Sequence, residues 1–137
     1  MADRYDFTVT SLLEAAGRGR PQRRAQEGMQ TDHVVELQLV VAALNQLWNG
    51  TYRSEGWQRR LVDFFNGNPN LQLLSTEENQ EKRVAVSRLI RGQDLPIEQH
   101  EWIRQIRGRR RWIRRNLEGF KKFKHSLDEI LNRADFD

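Results

Sequence analysis

The chain has no cysteine among its 137 residues. That excludes a disulfide framework and any metal site built on thiolates. The fold must rest on packing, or on packing plus a metal held by oxygen and imidazole. The lack of cysteine fits a reducing compartment. Long apolar runs are missing too. No stretch approaches the ~20 residues of a membrane span, so no membrane partner is expected. The first residues, MADRYDFTVTSLLEAAGRGR, carry acids early and lack the long apolar segment of a secretory signal. The expectation is an intracellular protein, cytoplasmic or nuclear. Acidic residues are scarce in one region. Between Arg104 and Lys124 the only acid is Glu118.

What fills that region is positive charge: Arg104, Arg107, Arg109, Arg110, Arg111, Arg114, Arg115, Lys121, Lys122 and Lys124. A second cluster is Arg18, Arg20, Arg23 and Arg24. The formal net charge is only +4, so placement matters more than the total. Arginine favours bidentate phosphate contacts over diffuse charge. The asymmetry points to an anionic partner, most simply nucleic acid, with DNA ahead of RNA. The ordinary alternative for such a run is a solvated helix face.

The length suits one domain with one core. Residues 8–17 read as a short helix, with Thr10 or Ser11 as cap and Gly17 as stop. GRGRPQRRAQEG reads as a basic arm broken by Gly and Pro, so residues 1–30 form a short helix and an arm. TDHVVELQLVVAALNQLW, residues 31–48, is the most apolar part. Its spacing predicts a buried helix, although VVELQLV also suits a strand. Trp57, Leu61, Phe64 and Phe65 predict an amphipathic helix ending near Gly67. LQLL has strand size. Ser75 and Glu78 form a capping-box pattern that starts a helix running to Arg91 and stopped by Gly92, with Val84 and Leu89 facing the core. Asp94 and Pro96 open one further helix with Ile97, Trp102, Ile103, Ile106, Trp112 and Ile113 as its apolar set. Phe120, Phe123, Leu127, Ile130 and Leu131 mark a last amphipathic helix. The tryptophans read as core, with Trp112 partly exposed, and His100 and His125 as solvated helix residues. The expected class is mainly α with a small β-hairpin.

One constellation stands out. Asp32-His33 lies in TDHVVEL. Asn70 opens NLQLL, Asn79 follows nine residues later, and Lys82 lies one helical turn beyond that. Each piece alone is weak: Asn70 could be a plain turn residue, and Asn79 a solvated one. Together, DHV, NLQLL and NQEK resemble the HNH endonuclease family, a ββα-metal fold, in its variant with Asn in place of the last His.

The resemblance implies metal-dependent hydrolysis of nucleic-acid phosphodiesters. It assigns His33 as general base and Asp32 and Asn79 as ligands of a divalent cation. Asn70 would hydrogen-bond backbone and hold the His33 region in place. Lys82 falls where the family often has Lys, and would reach a phosphate or pair with Glu78 or Glu81. Oxygen donors favour Mg²⁺ or Mn²⁺ over Zn²⁺. Glu36 is a further candidate ligand if residues 32–36 are helical, because Asp32 and Glu36 would then share a face. The departures are plain. Ser75 and Glu78 stand where many members carry cysteines for a structural zinc. The gap from His33 to Asn70 holds a helical insertion, residues 38–67, within a core of residues 31–92. Residues 93–137 add basic helices to the same domain. The competing expectation is a non-catalytic nucleic-acid-binding or protein-interaction module with an HNH-like fold.

Overall fold

The computed structural model describes residues 7–20, 28–47, 52 and 54–136. Most of the expected arm, with Arg23 and Arg24, and Trp48 lie outside the described residues. The chain is mainly helical with one small two-stranded antiparallel sheet.

Helix α1, Val9–Ala16, is capped by Thr8 rather than Thr10 or Ser11. The Thr8 side chain accepts from Ser11 N–H, and Thr8 N–H donates in turn to the Ser11 hydroxyl oxygen. Gly17 stops the helix in the left-handed region at φ 66°, a conformation glycine adopts without a Cβ penalty. Strand β1, Met29–His33, comes next and begins earlier than the expected core. Residues 31–48 are therefore not one helix. Thr31–His33 are strand, and helix α2 spans Leu37–Asn45. Six of its nine residues are buried, so it is the central helix. Glu36 thus sits beyond a bend, not one helical turn from Asp32.

Helix α3, Glu55–Phe65, is capped by Ser54 and buries Leu61, Val62 and Phe65. A single 3₁₀ turn, Asn68–Asn70, leads into strand β2, Leu71–Ser75. The strands pair from Met29↔Ser75 to His33↔Leu71. They are not a hairpin, because α2 and α3 lie between them in sequence. A two-stranded ribbon is marginal alone. Here helix α4, Thr76–Ile90, packs against both strands. It starts without a linker, and the Ser75–Glu78 capping box is complete. Leu89 is buried, but Val84 faces solvent, contrary to expectation.

The helix expected after Asp94 is broken. Ile97–Gln99 is a 3₁₀ turn with Ile97 81 % exposed. Helix α5, His100–Arg107, and helix α6, Arg110–Asn116, are separated at Gly108 and Arg109. Glycine is a poor helix former, and Arg109 N–H bonds Ile106 O in a tighter turn. Helix α7, Lys121–Leu131, packs on α2, and Phe123, Leu127, Ile130 and Leu131 are buried as expected. Phe120, also buried, precedes it at φ 54°. Burying a large apolar side chain contributes about 1.5–3 kcal/mol, and fully buried Phe65, Leu39, Leu61, Ile103, Ile106 and Phe123 join these helices into one core. Among the described residues no helix is long and apolar enough to cross a membrane.

Because α4 starts on its capping box, Ser75→Ala should destabilise the protein by about 1 kcal/mol in denaturant unfolding. An unchanged midpoint would show that packing alone defines the start of α4.

Candidate active site

Strand alternation places Gln30 and Asp32 on the sheet face covered by α4. Two rungs cross that gap. Asn79 Nδ2 donates to Gln30 Oε1 at 2.6 Å. Lys82 Nζ donates to Asp32 Oδ2 at 2.6 Å. Asparagine and lysine three apart on the helix meet residues two apart on the strand, so both rungs lie side by side. Lys82 also donates to the carbonyls of His33 at 2.6 Å and Val34 at 3.0 Å. All three ammonium protons are thus matched, and its side chain is wholly buried. Lys82 therefore pairs with Asp32, not with Glu78 or Glu81. Gln72, opposite Asp32 in the ladder, donates to the same Oδ2 at 2.9 Å.

The ladder runs through His33, so its side chain leaves β1 on the other side from Asp32. There His33 Nε2 meets Asn66 Oδ1 at 2.7 Å, just past the end of α3. The His33 pKa lies below the ordinary 6.5, chiefly because burial disfavours the imidazolium. The Asn66 bond and the Asp32 charge oppose the shift. Asn70 is completely buried. Its amide donates to Val35 O at 3.0 Å and Phe65 O at 2.8 Å, and its Oδ1 accepts from Val35 N–H at 2.9 Å. Its own carbonyl accepts from Val34 N–H at 2.7 Å. One asparagine thus ties the two residues after His33 to the end of α3.

Glu36 is buried at the start of α2 and accepts from Gln38 Nε2 at 2.9 Å. Burial raises its pKa above the ordinary 4.5, and the Lys82 charge pulls the other way. It makes no hydrogen bond to Asp32 or Asn79.

Metal-ligand capacity can be judged from the oxygens left over. Asp32 Oδ1 and Asn79 Oδ1 carry no hydrogen bond among the described residues, whereas their partner atoms are engaged. Both are hard donors. Nowhere among the described residues do three His, Asp or Glu side chains converge. Two protein oxygens suit an ion such as Mg²⁺, which keeps several waters and takes substrate phosphate oxygens. The chemistry of these two donors is compatible with such an ion.

The basic run divides by contact. Arg107 donates to Leu131 O, Ala134 O and Phe136 O, closing the end of α7. Lys124 donates to Leu117 O at 2.6 Å. Arg110 lies half-buried beside Asp128 and Asn132. Arg109 donates to Pro69 O at 2.8 Å. Arg104 is exposed and pairs with Glu101. Arg111, Arg114, Arg115, Lys121 and Lys122 are exposed. Trp112 stacks on Phe64 at 4.6 Å with Arg109 over its ring, so it belongs to the fold. Sequence reasoning missed Gln30, Gln72 and Asn66. Their partners lie 49, 40 and 33 positions away, and no local pattern signals such pairs.

Compared with known proteins, the chain matches no family model, no curated protein and no solved structure.

Two measurements test this electrostatic picture. Lys82→Met strands a buried carboxylate and leaves two carbonyls without a donor. It should cost about 3–5 kcal/mol, with partial recovery when Asp32→Asn is added. Equal losses in the single and double variants would refute the pairing. By NMR, His33 should titrate below 6.5. Since the unfolded chain then binds the proton more readily, its stabilising share is complete above 6.5 and declines as pH falls beneath it. A midpoint at or above 6.5 would contradict its burial.

Proposed function

We propose that the chain is a metal-dependent HNH-type endonuclease that hydrolyses nucleic-acid phosphodiesters, DNA before RNA. The observation that carries this reading is the contact of Asp32 on β1 with Lys82 on α4, with Asn79 one rung away on Gln30 and buried Asn70 bracing the chain after His33. Two antiparallel strands followed directly by a helix are in keeping with the resemblance, here with two helices inserted between the strands and with His33 turned to Asn66 on the face away from Asp32.

In this reading His33 is the general base. Its depressed pKa keeps the imidazole neutral near pH 7 and able to take a proton from water. Asp32 Oδ1 and Asn79 Oδ1 would hold Mg²⁺ or Mn²⁺, which supplies charge stabilisation at the phosphate and the leaving oxygen. Asn70 keeps the chain after His33 in place. Lys82 holds Asp32 and the end of β1 and does not reach a phosphate. Glu36 stays outside the set. Phosphate contacts fall to the exposed Arg111, Arg114, Arg115, Lys121 and Lys122, with Arg104 at the edge. Such contacts position a strand without reading its sequence.

One observation favours a second reading, a non-catalytic nucleic-acid-binding module. Lys82 already neutralises Asp32 at 2.6 Å, so the carboxylate needs no cation to be stable.

Nicking of supercoiled plasmid separates the two. Wild-type protein should nick with Mg²⁺ or Mn²⁺ and not with chelator. His33→Ala should lose roughly 10²–10⁴-fold in rate while its DNA binding stays intact and weakens steeply with added salt. Binding without cleavage under either metal would establish the second reading. Cleavage that survives His33→Ala would remove His33 as base.

A further inference from the structure

The contact between His33 and Asn66 belongs to no motif in the sequence, yet it determines which ring nitrogen can react. Asn66 follows the last turn of α3, where its N–H bonds Val62 O at 2.8 Å. The chain after it is held closely. Gly67 N–H reaches Phe64 O, Asn70 N–H reaches Gly67 O at 2.9 Å, and Asn70 grips Phe65 O and Val35. Arg109 adds a bond to Pro69 O. The Asn66 side chain therefore projects from a segment fixed on both sides of the ladder end that carries His33.

An amide oxygen can only accept a hydrogen bond. With Asn66 Oδ1 at 2.7 Å, His33 Nε2 must bear the proton. The lone pair of the neutral ring then sits on Nδ1. When Nδ1 takes a proton, the Nε2–H···O bond persists and becomes charge-assisted, which favours the imidazolium that forms.

We propose that Asn66 is the positioning residue that fixes His33 as its Nε2–H tautomer and leaves Nδ1 as the proton acceptor. The tautomer stands on the contact alone, and its catalytic consequence rests on the nuclease reading.

Nitrogen-15 NMR of the His33 ring at about pH 8, where the ring is neutral, reads the tautomer directly. Wild-type protein should show Nε2–H. Asn66→Ala should shift the ring towards a mixture, and Asn66→Asp, which keeps an oxygen there, should retain Nε2–H. In plasmid nicking, Asn66→Ala should lower kcat roughly ten- to a hundredfold with KM within about twofold, and Asn66→Asp should recover most of that loss. A wild-type ring protonated on Nδ1, or a tautomer unmoved in Asn66→Ala, overturns the proposal. The wild-type spectrum still decides the matter if Asn66→Ala does not fold. If wild-type protein fails to nick DNA while the tautomers behave as expected, the Asn66 assignment stands and the nuclease reading falls.

Discussion

The ammonium of Lys82 holds one carboxylate and two backbone carbonyls that no other donor described here could reach together. Helix α4 carries it, and the end of strand β1 with the residue just after it supplies the acceptors. The two elements are far apart in sequence, with α2 and α3 between the strands, so closing the sheet requires ordering a long intervening segment. Apolar contact alone would let β1 slide along α4. A saturated lysine does not, because moving one residue in register would break all three of its hydrogen bonds. The Gln30–Asn79 rung beside it adds a second fixed point. The placement of Asp32 against α4 thus follows from a buried ion pair.

Much of the scaffold was legible because its signals are local. The Ser75–Glu78 capping box and the apolar spacing of α7 work within a few residues and read correctly. The α1 cap was misplaced by two or three residues because Thr8, Thr10 and Ser11 are all competent, and reciprocity with Ser11 selects Thr8. The stretch 31–48 misled for a different reason. Its apolar residues satisfy a helical period throughout, yet Thr31–His33 gain more from pairing with Leu71–Leu73 than from a helix they would only begin. Tertiary pairing overrides periodicity there. In the candidate site, motif positions could be named in advance but not their partners. Asn70 acts on backbone, as the resemblance implied, whereas Lys82 turned inward to Asp32.

The basic C-terminal segment shows why a charge run is not a surface. Helix ends expose carbonyls that need donors, and arginine offers five in a planar fork. Arg107 is used in this way at the end of α7, where Phe136 also packs on His100 at a ring separation of 3.9 Å. Arg109, Arg110 and Lys124 have similar structural partners. What remains exposed is a smaller set on α6 and the first turn of α7. It is still almost free of acids, so on the nuclease reading phosphate contacts would fall to fewer residues than the run contains.

Charge balance at β1 bears on how the proposed site would work. Asp32 contributes one negative charge and Lys82 cancels it. Burial raises the Glu36 pKa, so its charge is less favoured than that of a free glutamate, and the neighbouring amides are neutral. An ion pair with no net charge has small attraction for a free divalent ion, since hydrated Mg²⁺ surrenders water reluctantly. A phosphodiester changes that balance by bringing its own negative charge and oxygen ligands. On the nuclease reading, metal and nucleic acid would therefore bind together more strongly than either alone. The same neutrality lets the unloaded fold stand, because an uncompensated Asp32 at this depth would oppose burial. On that reading Lys82 would lend the protein stability at the expense of metal affinity, and a phosphate-bearing substrate would restore it.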